Sequence, residues 1–536
     1  MNRPCLFFLF LLVCVLPGKA FAASSVDFSG YYTAIYISEH NIGNFSDSQG
    51  FADNYFAQRL EINMVFRPTS RLSFNWRLRA PHLGRWGTTD SYVAQTIHGY
   101  GQIQNDWGTI SIGRLTDRAD DYGLANLGYF PVSADWGWAQ VAPFDGWSFI
   151  TALEYSHDWD NGLGLLAQYA KLEGTSAGFD HGSSDIDHDR YVFEPRYKWD
   201  SGGLSLGLIY ERNANPDGRD AWGNKMAGFL DKTTSFFLNP ALIQNFGRFG
   251  LHAEAKLGWG KNEIKDQVNI DTEGYGFYLD MDYNYGPGNV TLAGWWVSGT
   301  DMEEVSKPHG KSKSLVDMGG GFYPLVIAYN YNAAGWNRLA SAGVNTNAIA
   351  LANEAFGHYV LPNRATVISG GDSVDIPGVI NPGLPNQTVN MVSNERWESS
   401  NGDTSNHWAL SFSGSQALSD DITFRYVASY LRLNKSNYRT LDSYLITAPN
   451  TFDTYGYKTQ SKELGVEIDL GLSVQLLDNL LLTSTFGYMF TGDAYQSLKG
   501  YKIESPNSVT GHKKAQAVWK DSNNSYGWFN TLSFFF

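Results

Sequence analysis

Several long stretches of this chain alternate apolar and polar residues with period two, and no other feature limits the possible folds as tightly. In residues 56–66, Phe56, Leu60, Ile62, Met64 and Phe66 share one face, while Ala57, Arg59, Glu61 and Asn63 share the other. In 71–80, Leu72, Phe74, Trp76 and Leu78 oppose Ser73, Asn75, Arg77 and Arg79. In 249–259, Phe249, Leu251, Ala253, Ala255, Leu257 and Trp259 oppose His252, Glu254 and Lys256. The pattern returns at 275–285, where Tyr275 to Tyr285 oppose Asp280, Asp282 and Asn284, and at 463–475, where Leu464 to Val474 oppose Glu463, Glu467, Asp469 and Gln475. Alternation of this kind is the signature of a β-strand with two unlike faces, and about ten tilted residues suffice to cross a bilayer.

A soluble sandwich alternates too, with its apolar face as core. That reading fits one strand. It fits less well when many strands are long, charged on one face and tipped with Tyr, Trp or Phe, as membrane-spanning strands are at the interfaces. Composition agrees: the chain is 15% aromatic, has 56 glycines, and its hydropathy averages −0.30. Beyond the N-terminal segment no apolar run is long enough for a membrane helix.

The N-terminal segment reads "MNRPCLFFLFLLVCVLPGKAFA". Arg3 supplies the positive start, Cys5 to Leu16 an apolar run too short to span, and Ala20-Phe21-Ala22 a cleavage pattern. Residues 1–22 are therefore expected to be a secretory signal peptide and 23–536 a single β-barrel. Both cysteines, Cys5 and Cys14, leave with it, which excludes disulfides and thiolate metal sites from the mature chain. The formal net charge is −15, and losing Arg3 and Lys19 makes it more negative. Nucleic acid is not an expected partner of so acidic a chain.

The spacing predicts strands near 26–37, 53–66, 71–80, 91–103, 107–114, 147–158, 163–173, 190–199, 203–212, 232–245, 249–260, 274–285, 290–299, 406–415, 421–433, 460–475, 480–491 and 525–536. Tight turns such as "NDW", "WDNG", "NFGR" and "YGPGN" alternate with longer polar loops at 38–52, 81–90, 115–146, 174–189, 213–231, 261–273, 300–405, 434–459 and 492–524. The expected fold class is all-β: a transmembrane antiparallel β-barrel of about 18 strands, 16 being the alternative, with short periplasmic turns and long extracellular loops. A barrel this wide is not filled by its own strand side chains, so a loop must narrow it. Loop 115–146 is the candidate, and loop 300–405, with Ala348, Ile349, Ala352, Ala355 and Phe356 at helical spacing, would cap or plug the mouth.

The segment "WGTISIGRLTD", Trp107 to Asp117, resembles the strand entering the third loop of general Gram-negative porins. In that family the third loop folds inward, and its acids face a ladder of strand arginines. The resemblance implies that Asp117, Asp120 and Asp121 oppose Arg59, Arg77 and Arg79, with Glu61 beside the arginines and Arg114 at the loop root. It also implies a homotrimer. The chain is longer than a general porin and lacks the family's Pro-Glu-Phe-Gly-Gly stretch. Its "ELGVEIDLGLSVQLLDNLLLTSTFGYMFTGD" hairpin is similar to the closing strands of longer substrate-channel and polysaccharide-export barrels.

The chain finishes "YGWFNTLSFFF". Trp528, Leu532, Phe534 and Phe536 share one face and Thr531 and Ser533 the other, which predicts a last strand closing against 26–37. Leu532, Phe534 and Phe536 resemble the terminal signal read by the barrel-assembly machinery. No enzyme motif, cofactor motif or metal motif stands out; the Asp180, His181, Asp185, Asp187, His188, Asp189 cluster reads first as a solvated outer loop. The expected function is passive diffusion of ions and small hydrophilic solutes across a Gram-negative outer membrane, with lipid as surroundings. The alternatives are a substrate-specific channel for a sugar, an organic acid or an exported polymer, and a surface receptor or adhesin.

Overall fold

The computed structural model describes residues 25–40, 53–85, 95–116, 149–173, 188–213, 230–264, 270–299, 311–312, 373–374, 391–392, 407–435, 438–441, 455–458, 461–493, 497–503, 515–520 and 524–536. Eighteen strands form one closed antiparallel sheet. They are β1 (Ser25–His40), β2 (Asp53–Thr69), β3 (Leu72–Arg85), β4 (Gln95–Asn105), β5 (Gly108–Thr116), β6 (Phe149–Asp158), β7 (Leu163–Glu173), β8 (His188–Trp199) and β9 (Gly202–Asn213). The second half is β10 (Leu230–Phe246), β11 (Phe249–Ile264), β12 (Ile270–Asn284), β13 (Gly288–Val297), β14 (His407–Ala417), β15 (Ile422–Leu433), β16 (Glu463–Leu477), β17 (Leu480–Thr491) and β18 (Ser525–Phe535). Each strand pairs with its neighbours in sequence, and β18 pairs with β1. Closure leaves no strand edge, which a bilayer demands because no water is present to satisfy an open row of N–H and C=O groups.

The expected count of 18 holds, and 16 is excluded. The alternation of joins holds as well. Short turns connect β2 to β3, β4 to β5, β6 to β7, β8 to β9, β10 to β11, β12 to β13, β14 to β15 and β16 to β17, and the intervening joins are the longer ones. The exception lies between β11 and β12. The strands extend to Ile264 and from Ile270, so the loop expected at 261–273 shrinks to 265–269. In the Gly247-Arg248 turn, Gly247 has a φ of 68°, the left-handed geometry that lets a two-residue turn follow the twist of its strands. Lys311–Ser312 runs parallel to Asp271–Thr272 of β12, which brings part of the 300–405 segment back to the barrel. Short hairpins within 434–462 and 492–524 pair Tyr438–Leu441 with Tyr455–Lys458 and Ser497–Ile503 with Ala515–Lys520. The helical spacing at 348–356 and the turn-to-loop region 117–148 lie outside the described residues.

Exposure alternates as the sequence requires. On β16, Val466, Ile468, Leu470 and Leu472 are exposed, while Glu467 and Asp469 between them are fully buried. On β12, Tyr275, Phe277, Leu279 and Met281 are exposed and Asp280 is buried. Exposed apolar residues interleaved with buried carboxylates reverse the pattern of a soluble protein. This is the arrangement of a barrel with lipid outside and a polar interior.

Candidate functional site

The inward face is the site, and the strands dictate its composition by parity. From β6 to β12 it is ionic. Glu154 on β6 accepts a hydrogen bond from Gln168 on β7 at 3.0 Å. Arg190 on β8 donates to Glu211 on β9 at 2.8 Å, and Arg196 donates to Asp158 at 2.8 Å. On β11, His252 bridges two strands: its Nε2 lies 2.7 Å from Glu254 Oε1 and its Nδ1 lies 3.1 Å from Asp280 Oδ2 on β12. Lys256 stands 5.0 Å from the centre of the Phe237 ring. Glu194, His252, Glu254, Lys256 and Asp280 are all buried.

From β13 through β18 to β1 small hydroxyls replace most of the charges, and they share the face with buried apolar residues such as Trp295, Val427, Leu431, Met489 and Phe529. Thr291, Ser411, Ser413, Ser429, Thr485 and Ser533 are among the hydroxyls, all buried. Ser429 bonds Ser411 at 2.7 Å, and Thr33 bonds Ser533 at 3.0 Å across the closing pair of strands. Arg425 donates to Ser473 at 2.6 Å. Among the described residues, the buried hydroxyl oxygens of Thr291, Thr483 and Thr531 have no hydrogen-bond partner, and Thr483 and Thr531 sit directly opposite each other. Glu467 and Asp469 are buried carboxylates within this arc. A small apolar cluster of Leu115, Ala152 and Ala170 with Tyr100 interrupts the face near the outer end of β4 to β7.

Glu61 and Arg77, predicted on the sequence as inward residues, meet across β2 and β3. Arg77 Nε donates to Glu61 Oε2 at 2.6 Å, and its second terminal nitrogen also pairs with that oxygen. Glu61 is fully buried. Arg59 and Arg79 lie in these strands, opposite Thr33 and Glu61 in register, but their side chains lie outside the described residues. Asp117, Asp120 and Asp121 also lie outside them. Arg114 departs from expectation: it is exposed and shares its face with Ile112, the outward one, whereas Leu115 turns in. Residues two apart share a face, so Arg114 follows Ile112 to the outside of the wall. Leu532, Phe534 and Phe536 are exposed on the outer face.

The alternation puts His252, Glu254, Lys256, Asp280, Asp282, Glu467 and Asp469 on the polar face of their strands, and the strand parity agrees; Glu194, Arg196, Lys198 and Arg425 face inward as well. Sequence reading missed Glu154, Arg190 and the whole hydroxyl arc. Their signal was present as Ser or Thr at alternate positions, but serine and threonine are common on any solvated strand. Among the described residues, no group of three or more His, Cys, Asp or Glu is arranged to hold a metal ion.

The family model described as Gram-negative porin matches residues 9–313, more than half of the chain. No curated protein matches the sequence. Similar solved structures include the outer membrane protein OprD from Pseudomonas aeruginosa, at 11% identity over 97% of this chain and 96% of that one, with a TM-score of 0.44. They also include OmpT of Vibrio cholerae, at 9% identity over 97% and 100% of the two chains with a TM-score of 0.37. A third is an anion-selective porin from Comamonas acidovorans, at 10% identity over 96% and 100%, with a TM-score of 0.38. The chain is a multi-pass outer-membrane β-barrel and belongs to the Gram-negative porin family.

Proposed function

We propose that this porin is a solute-selective channel rather than an open sieve. The observation that carries the reading is the division of a buried inward face into an ionic arc and a hydroxyl arc. Charges on a wide water-filled wall would be exposed, yet Lys256, Asp280, Glu467 and Asp469 are at most 1% exposed. A solute passing such a face exchanges its hydration for wall contacts, and the exchange depends on its chemistry. Among the described residues, no group bonds the hydroxyls of Thr291, Thr483 and Thr531, which keep both donor and acceptor capacity. A buried polar group left unmet costs about 1–3 kcal/mol, so a hydroxylated solute gains where wall side chains shift to let it reach these oxygens. A small solute bearing a charged group on one side and hydroxyls on another matches both arcs, as a sugar acid does.

Loop 115–146 is the proposed constriction, with Asp117, Asp120 and Asp121 as the acids proposed to face the pore. Single-channel recording on the purified protein tests the reading. Selective transport predicts a small conductance that millimolar hydroxylated organic acids block and equimolar chloride does not. A large steady conductance, insensitive to every such solute, would establish passive diffusion instead.

A further inference from the structure

His252 makes a set of contacts that a neutral imidazole does not satisfy. Its Nε2 lies 2.7 Å from Glu254 Oε1, and its Nδ1 lies 3.1 Å from Asp280 Oδ2. A neutral ring has one N–H and one lone pair, and an ionised carboxylate has lone pairs only. Two contacts at these distances therefore need two protons. Either the ring is an imidazolium donating to both acids, or one acid carries a proton and donates to the ring. The proton count is the same in both cases, so the three side chains together hold one negative charge rather than two.

Register keeps the three together. His252 stands directly opposite Asp280, Glu254 follows two residues along β11 on the same face, and the pairing of β11 with β12 is continuous from Phe249 and Tyr283 to Asn262 and Ile270. All three side chains are buried, and the Tyr278 ring centre lies 5.2 Å from the imidazole. The titratable groups on the inward face around His252 are Glu254 and Lys256 on β11 and Tyr278, Asp280 and Asp282 on β12. The strands to either side present none here: Ile243 and Ala241 of β10 stand opposite His252 and Glu254, and Ala293 and Trp295 of β13 stand opposite Asp280 and Tyr278.

The group also sits where the ionic arc ends. The row that contains His252 and Asp280 continues through Ala293, Ser411 and Ser429 to Glu467. No charged residue lies between Asp280 and Glu467 in that row, so a change of one unit at the His252 end is not offset within it. A charge held in a barrel wall is screened less than one in bulk water, and its field reaches the lumen without contact with the solute.

We infer that His252 is a specificity-determining residue of the channel: the proton it shares with Glu254 and Asp280 cancels one of their two charges, and giving that proton up to water turns this part of the wall toward cations. The role rests on the inward face being the solute path, and not on the nature of the solute. A unit charge acting through water over about 10 Å favours a passing cation about twofold.

The test is the cation-over-anion permeability ratio, taken from reversal potentials of the full-length barrel in planar bilayers under a potassium chloride gradient. His252→Gln should raise the ratio about twofold. His252→Gln with Glu254→Gln, which removes one acid along with the proton, should return it to the starting value. The unaltered barrel should gain the same factor on going to mildly alkaline pH, and His252→Lys, which keeps a cation at this position, should not. A ratio unmoved by His252→Gln, a double variant that stays shifted, or an equal pH response in His252→Lys would each overturn the assignment. If His252→Gln fails to fold, the unaltered barrel and His252→Lys compared across pH decide alone. Block by hydroxylated organic acids is read in the same recordings. Block with no change of ratio overturns the role of His252 and leaves the selective channel standing, whereas a changed ratio without block does the reverse.

Discussion

Gly30 and Phe536 close the barrel. The N–H of Gly30 donates to the Phe536 carbonyl at 2.9 Å, and the N–H of Phe536 donates to the Gly30 carbonyl at 3.0 Å. Any Cβ on Gly30 would collide with the main-chain oxygen of Glu61 and meet the Phe536 ring at 2.9 Å. The glycine thus lets β1 approach β2 on one side and the final aromatic ring on the other. Deleting Phe536 removes both hydrogen bonds, and Gly30→Val forces the strands apart. Both changes should lower the folded, heat-modifiable band in outer-membrane fractions severalfold while leaving export intact. Normal levels of folded barrel in both variants would refute a closing role for the pair.

The Glu61–Arg77 pair is a second test. Removing one partner of a buried ion pair typically costs about 3–5 kcal/mol, whereas replacing both costs less. Urea unfolding in micelles should show Glu61→Gln and Arg77→Gln each destabilised by about that much. The double variant should lose less than the sum of the singles. Additive losses would mean that the two side chains do not act as a pair.

The two faces of β16 should respond oppositely. Leu470 is exposed at mid-strand, and a basic residue facing lipid near the midplane costs about 2–4 kcal/mol. Leu470→Arg should therefore slow or prevent refolding into phosphatidylcholine vesicles. Asp469→Asn, one residue away on the inward face, should refold normally and change ion selectivity. Equal effects of the two on refolding would contradict the assigned facing.

The proposed constriction has its own experiment. Asp120→Asn combined with Asp121→Asn removes two negative charges from loop 115–146. Reversal potentials in a salt gradient should shift toward anions by several millivolts. An unchanged reversal potential would place the narrowest point elsewhere, with the His252, Glu254 and Asp280 group as the next position to substitute.

The fold was legible because a strand writes its facing into the sequence. Phe56 to Phe66 and Leu464 to Val474 announce two unlike surroundings at each successive residue, and all eighteen strands could be placed that way. The error at Arg114 has a simple origin. A likeness to a loop-root motif says nothing of facing, which the parity with Ile112, two residues away, decides. The loop expected at 261–273 was misjudged because Lys261, Asn262 and Glu263 are polar whichever way they face, so the alternation gives no signal there.

By itself the sequence determined most strands and the polarity of each face, since these depend on period-two alternation and turn residues within a few positions; the choice of 18 over 16 came from the closed sheet. Only the tertiary structure decided which residues meet. Glu61 reaches Arg77, His252 lies between Glu254 and Asp280, and Gly30 receives Phe536 from the other end of the chain. Partners across neighbouring strands are fixed by register. Register follows from closing eighteen tilted strands into one ring, a constraint on the whole chain that no single segment contains.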